Sequence, residues 1–354
     1  MEATYDGDIV RAGRAGREQF YDARGYGRPV DGDVHLAPVE AAHLLFRGDL
    51  DAVVDDRAER LDFRRFLASA AVSEVDFFVY RDLRDRGFYL SSTREDRGNT
   101  AADFVVYPRG KGPWDDAVAY RVRAVGERAG VPAGDLSALA SVGATADEGA
   151  DPTGVLAVVD EESEVTYFAL DAPTPAGSSD HDVPDVTGDL VADRVLVWDP
   201  PAGLHEQAFY GQRVDDGVVQ LSLVEAAYLA GQGTLALSES DGDAERAVLA
   251  RGHEVEGERF ERRRRVYAAL RNAGVVPKTG YKFGADFRTY ADVDSVADLG
   301  HSERLVRVLP AAHTFAPRDL ALDVRLAHGV RKEMVFALVD DAGLEWLSAT
   351  RLTP

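Results

Sequence analysis

The feature that most constrains the fold of this chain is that it contains one unit twice. Val39-Glu40-Ala41-Ala42-His43-Leu44 recurs as Val224-Glu225-Ala226-Ala227-Tyr228-Leu229. In each copy a short stretch suited to a strand, Gly32 to Leu36 and Gly217 to Leu221, leads into it. Val79-Tyr80-Arg81-Asp82-Leu83-Arg84 with Gly87 is matched by Val266-Tyr267-Ala268-Ala269-Leu270-Arg271 with Gly274, and Ala102-Asp103-Phe104 with Tyr107 by Ala285-Asp286-Phe287 with Tyr290. The matches keep their order at offsets of 183 to 187 residues, so the 354 residues are read as two tandem copies. Ala172 to Pro184, rich in proline and small residues, is the expected exposed linker between them.

Each copy divides again near its strongly charged stretches, Asp55 to Arg65 and Glu254 to Arg265. The expected organisation is an N-terminal subdomain at 1–72, a second subdomain at 73–171, a linker at 172–187, and the same pair again at 188–258 and 259–354. The last segment is the most legible. Glu261 to Asn272 predicts a helix closed by Ala273-Gly274. Phe283 to Tyr290 and Leu305 to Leu309 predict strands, and Pro317 opens a helix with Leu320, Val324, Ala327 and Val330 on one apolar face. Met334 to Val339 is a continuous apolar run, hence a buried strand, and Asp340 to Gly343 turns it into a last strand at Leu344 to Leu347. The fold class is therefore α+β, each repeat a small α/β subdomain followed by a subdomain with a mixed sheet flanked by helices.

Composition narrows the function. The net charge is −22, and apart from Lys111, Lys278, Lys282 and Lys332 every basic residue is an arginine. Such a surface suits a salt-rich cytoplasm, where a Debye length of about 3 Å screens self-repulsion. The same screening weakens the usual objection to an acidic protein meeting nucleic acid. Cysteine is absent, which excludes disulfides, thiolate nucleophiles and cysteine metal sites. The first residues, Met1 to Arg14, lack the layout of a secretory signal, and no apolar run approaches the length of a membrane span. A cytoplasmic protein is expected.

No phosphate-cradling glycine loop, HExxH motif or serine-hydrolase elbow is present. Three polar residues instead sit where elements of the second copy hand over to loops: Tyr290, His301 and Lys332. Taken singly, each also fits an ordinary structural role. Arg262 to Arg265 is the densest basic run, and neighbouring helix positions spread around the circumference, so solvated and acid-paired roles are expected there over a phosphate clamp.

Taken together, the sequences around the three residues carry a resemblance. Thr279-Gly280-Tyr281-Lys282-Phe283-Gly284-Ala285-Asp286-Phe287-Arg288-Thr289-Tyr290, then His301-Ser302-Glu303, then Arg325-Leu326-Ala327-His328-Gly329-Val330-Arg331-Lys332 resemble the archaeal tRNA-splicing endonuclease family. The length and internal duplication are similar to its fused two-repeat, homodimeric form, in which one repeat is degenerate. The resemblance implies a nuclease-like second subdomain in each repeat. It also implies cleavage of precursor tRNA at a bulge-helix-bulge element, without metal or other cofactor, leaving 2′,3′-cyclic phosphate and 5′-hydroxyl ends.

In that scheme Tyr290 is the base at the 2′-hydroxyl, His301 the acid at the leaving 5′-oxygen, and Lys332 the charge beside the pentacoordinate phosphorus. Histidine suits the acid role because it titrates near neutrality. Tyrosine, titrating near about 10, needs a neighbouring cation to act as base, or else only orients the hydroxyl. Arg325 resembles the family's arginine that stacks on bulge bases, and it is expected two helical turns before Lys332 on a similar face. In the first copy Tyr107 aligns with Tyr290, Val118 stands where His301 would fall, and no lysine matches Lys332. That copy is expected to be structural. Its loop Asp160-Glu161-Glu162-Ser163-Glu164 resembles the acidic loop with which a noncatalytic half docks on the partner subunit, which places Asp160, Glu161, Glu162 and Glu164 at a homodimer interface. Two rivals are weighed: a noncatalytic RNA-binding or assembly subunit, against which the retained triad speaks, and a metal-dependent nuclease, which needs clustered carboxylates near a lysine, whereas Asp286 and Glu333 fall into no such signature.

Overall fold

The computed structural model describes residues 1–69, 71–93, 101–143, 152–238 and 243–354. Contacts group them into two units, Met1–Ala172 with Thr314–Ala321 and Ala349–Pro354, and Pro173–His313 with Leu322–Ser348. No helix among the described residues is long and apolar enough to cross a membrane.

In the second unit a five-stranded sheet, in the order Val186–Val191 flanked by Leu235–Leu237 on one side and Arg194–Trp198, Val218–Ser222 and Gln212–Asp215 on the other, carries the helix Leu223–Gly231. The helices Ala244–Glu256 and Glu258–Asn272 follow, the latter starting slightly ahead of its predicted position. A second sheet then runs in the order Val276–Thr279, Phe287–Tyr290, Arg304–Pro310, Glu333–Val339, Leu344–Leu352, the residues of the last strand from Ala349 onward being grouped with the first unit. Phe287–Tyr290 lies antiparallel to Arg304–Pro310, which lies parallel to Glu333–Val339. Phe260, Val266, Tyr267 and Leu270 of the long helix pack with Phe287, Val306 and Val335 of this sheet in one apolar cluster. Each such side chain contributes about 1.5–3 kcal/mol when fully buried.

The first unit repeats the plan. A six-stranded sheet and the helix Pro38–Arg47 precede Glu74–Asp85, and the strands Leu90–Ser92, Phe104–Val106, Tyr120–Gly126, Thr153–Val159 and Val165–Asp171 follow in the same spatial order. The same neighbours are antiparallel and parallel. Thr289 stands opposite Arg304 as Val106 stands opposite Tyr120, and Arg304 opposite Glu333 as Tyr120 opposite Thr153. The register thus refines the match between copies. Counted back from that register, Ala117 and not Val118 corresponds to His301, and Pro152 to Lys332; Asp151, beside it, lies outside the described residues.

Several sequence expectations are adjusted. The strand expected from Phe283 is confined to Phe287–Tyr290, because Gly280, whose carbonyl accepts Phe283 N (2.8 Å), starts a 3-10 turn over Tyr281–Phe283. Val330 falls outside its helix and is exposed, whereas Leu320, Val324 and Ala327 are buried as expected. Arg325 and Lys332 do not share a helix face. The helix Pro317–Gly329 ends in a turn where Arg331 takes φ 58°, with Arg331 N bonded to His328 O (3.0 Å) and Lys332 N to Ala327 O (2.9 Å). This closure satisfies the last helical carbonyls and sends Lys332 straight into the strand Glu333–Val339.

Candidate active site

The strand pairing explains how distant residues meet. Because Phe287–Tyr290 runs against Arg304–Pro310 and the latter runs with Glu333–Val339, the end of the first strand and the starts of the other two lie along one edge of the sheet. Tyr290 ends the first, His301 precedes the second and Lys332 precedes the third. Backbone bonds stitch this edge: Glu303 N to Thr289 O (3.1 Å) and Glu333 N to Glu303 O (3.0 Å). The Lys332 ammonium donates to the carbonyl of Ser302, adjacent to His301.

The three side chains differ in exposure. Tyr290 is 5% exposed, its ring set edge-on to Phe209 at 5.7 Å in a small cluster with Val276 and Val293. His301 is exposed. Lys332 sits 5.8 Å from the Phe283 ring; partial burial and the Arg288 guanidinium lower its pKa below the ordinary lysine value, while Glu303 opposes them. Arg288 also lies 5.7 Å from the Tyr290 ring, so a second cation reaches this edge. Sequence reasoning passed over Arg288, although its position two residues before Tyr290 on the same strand gives it the same face.

The carboxylates offered for a metal-dependent rival are otherwise engaged. Asp286 accepts from Val308 N (2.8 Å) and pairs with Arg259 and Arg263, and Glu333 pairs with Arg304 (2.8 Å). Among the described residues no group of three or more His, Asp and Glu is placed to hold a metal ion. The arginine run has the mixed roles expected of it: Arg262 pairs with Glu258, Arg263 with Glu256, Arg264 with Glu261, and Arg265 donates to the carbonyls of Asp340 and Gly343. Arg325 is exposed on its helix.

In the first copy the Tyr107 hydroxyl is 3.1 Å from that of Ser91, and burial raises its pKa. The acidic turn is partly self-contained. The Asp160 carboxylate accepts from Glu162 N and Glu164 N (2.9 Å each), and Glu161 pairs with Arg128 of the same chain, which leaves the exposed Glu162 and Glu164 as its outward charges.

The repeated Val-Glu-Ala-Ala segment carries a buried group that sequence reasoning did not single out. Glu225 accepts from Gly211 N (2.9 Å), Ser222 N (3.0 Å) and the Lys278 ammonium (2.8 Å), which also donates to the carbonyls of Phe209 and Gly211. Burial works to raise the Glu225 carboxyl, but Lys278 and the Ser222 donors outweigh it and hold it well below the carboxylate range. In the first copy Glu40 accepts from Gly27 N (2.9 Å) and Ala37 N (2.8 Å). The exact recurrence of a glutamate inside an apolar helical segment was the available signal.

Residues 260–346 match the family described as tRNA intron endonuclease, catalytic C-terminal domain, and residues 1–67 and 186–247 each match the tRNA intron endonuclease, N-terminal domain. Over its full length the chain is 61% identical to the tRNA-splicing endonuclease of Haloarcula marismortui and 56% identical to that of Natronomonas pharaonis, each covered completely. It is 35% identical to the tRNA-splicing endonuclease of Methanosarcina acetivorans, with 99% of both chains covered.

Proposed function

Because the chain belongs to the tRNA intron endonuclease family, we propose that it excises introns from precursor tRNA by cutting a bulge-helix-bulge element through metal-independent transesterification. The observation that carries this reading is the convergence of Tyr290, His301 and Lys332 on one sheet edge, with the Lys332 ammonium bonded to the carbonyl next to His301. Tyr290, with Arg288 and Lys332 as neighbouring cations, takes or orients the 2′-hydroxyl proton. The 2′-oxygen then attacks phosphorus, the bond to the 5′-oxygen breaks, and His301 delivers a proton to that oxygen. Lys332 faces the negative charge that gathers on the phosphoryl oxygens. The products are a 2′,3′-cyclic phosphate and a 5′-hydroxyl. Arg325 offers a flat exposed cation for a splayed bulge base.

Incubation with an intron-containing precursor in molar potassium chloride and EDTA, followed by end-group analysis, tests the reading. Cutting should proceed as in magnesium and leave cyclic phosphate ends. Loss of activity in EDTA that magnesium restores, or 3′-hydroxyl ends, would refute it.

A single chain carries one complete triad, whereas a bulge-helix-bulge has two cuts, so the working form in this proposal is a cytoplasmic homodimer. Glu162 and Glu164 are its docking charges, beside Asp160 and Glu161, which hold the turn. Replacing both Glu162 and Glu164 with glutamine is expected to weaken dimerisation by about tenfold or more, since docked charge pairs are screened little. Light scattering in molar salt measures this, and an unchanged dimer would reduce the loop to ordinary surface.

A further inference from the structure

The segment joining the two repeats is exposed, as its composition suggests, but it is not slack. Gly177 N donates to Ala273 O (2.8 Å), Ser178 N to Ala291 O (2.8 Å) and Ser179 N to Gly274 O (2.9 Å). These bonds alternate between the chain entering the strand Val276–Thr279 and the chain leaving Phe287–Tyr290. Val276 and Tyr290 form the terminal pair of those strands, so the segment is wedged between them just where their own pairing stops. Side chains complete the tie: Ser178 Oγ donates to Asp292 (2.8 Å), Val293 N donates to Ser179 Oγ (2.8 Å), and His181 Nε2 donates to Val293 O (2.5 Å).

The fit is tight at the backbone. A Cβ on Gly177 would stand 2.3 Å from Gly274 O and 2.6 Å from Ala291 O, and Gly274, at φ +72°, would in turn drive a Cβ to 2.6 Å from Gly177 O. Two main chains therefore cross in contact at a point that only glycine permits. Pro173, Pro175 and Ala176 also help to line a cavity of about 250 Å³ whose other walls include Thr289, Ala291, Glu303 and Glu333.

We infer that Ala176–His181 is a positioning strap for the active site, an inference that rests on the function proposed above. Two routes lead from the strap to the triad. Val293, held at both its N–H and its carbonyl, packs in the same cluster as Tyr290 and sets one wall of that ring's seat. Ala291, held at its carbonyl by Ser178, donates its own N–H to the Glu303 carboxylate (3.1 Å). Glu303 in turn follows Ser302, whose carbonyl receives the Lys332 ammonium. The strap therefore fixes the start of the loop that separates Tyr290 from His301.

The test compares Ser178→Ala/Ser179→Ala with Ser178→Thr/Ser179→Thr in the full-length protein. Single-turnover cleavage and precursor affinity are measured in molar potassium chloride. A shift of about 1 Å in a catalytic group can cost up to about 100-fold. The alanine pair is expected to slow cleavage by about tenfold with affinity within about twofold, and the threonine pair, which keeps both hydroxyls, to recover most of the rate. Gly177→Val should slow it further. An alanine pair as fast as the wild type, or one whose rate and affinity fall together without recovery by threonine, overturns the strap. Absence of cutting by the wild type itself would instead refute the proposed function.

Discussion

Replacing His301 with alanine is expected to slow cleavage of an intron-containing precursor by about 100-fold or more, the scale on which a general acid acts, with little change in precursor binding. His301 is exposed in the loop ahead of Arg304–Pro310, so its removal breaks no core packing and a folded variant is expected. The comparison that makes the result specific lies in the first copy. Tyr290→Phe should cause a large loss and Tyr107→Phe almost none, because Tyr107 is bonded to Ser91 and has Ala117 and Pro152 where the second copy has His301 and Lys332. Equal losses from the two tyrosine variants would show that both copies contribute to chemistry. A His301→Ala variant that cuts at the wild-type rate would remove the acid from the scheme.

Replacing Lys278 with methionine is expected to destabilise the second unit by about 3–5 kcal/mol, the usual cost of leaving one member of a buried ion pair without its partner. Both side chains of the pair are 8% exposed, and Glu225 keeps only the donors of Gly211 and Ser222 once the ammonium is gone. The double variant Lys278→Met/Glu225→Gln should regain a good part of the loss, since no buried charge is then stranded. Calorimetric melting in molar potassium chloride distinguishes the cases, and salt cannot mask the effect because buried pairs are screened far less than surface ones. A single variant that melts within a degree or two of the wild type would mean that water reaches Glu225.

The parts of the site written in the sequence are those with local signals. Tyr290, His301 and Lys332 stand at element boundaries that glycine, proline and apolar runs announce, and the duplication exposes itself through recurring blocks. Long-range pairing has no such signal. That Ala117 and not Val118 matches His301 follows from strand register, which a residue of slack in the preceding loop conceals. The end of the helix at Gly329 was hidden because its closing residue is Arg331 in a left-handed conformation, where glycine is the usual mark. The linker was legible as polar and proline-rich, but its side-chain hydrogen bonds join residues more than a hundred positions apart.

The strap also bears on how such a chain can be divided or rearranged. If the two repeats were made as separate polypeptides, a break before Pro173 would leave Ala176–His181 attached to the half that contains Tyr290, His301 and Lys332. A break after Pro184 would hand the strap to the other polypeptide and turn an intramolecular wedge into a bimolecular one, its occupancy set by concentration. The two ends of one linker are therefore not equivalent sites for fission, permutation or insertion, although both are exposed and free of regular secondary structure.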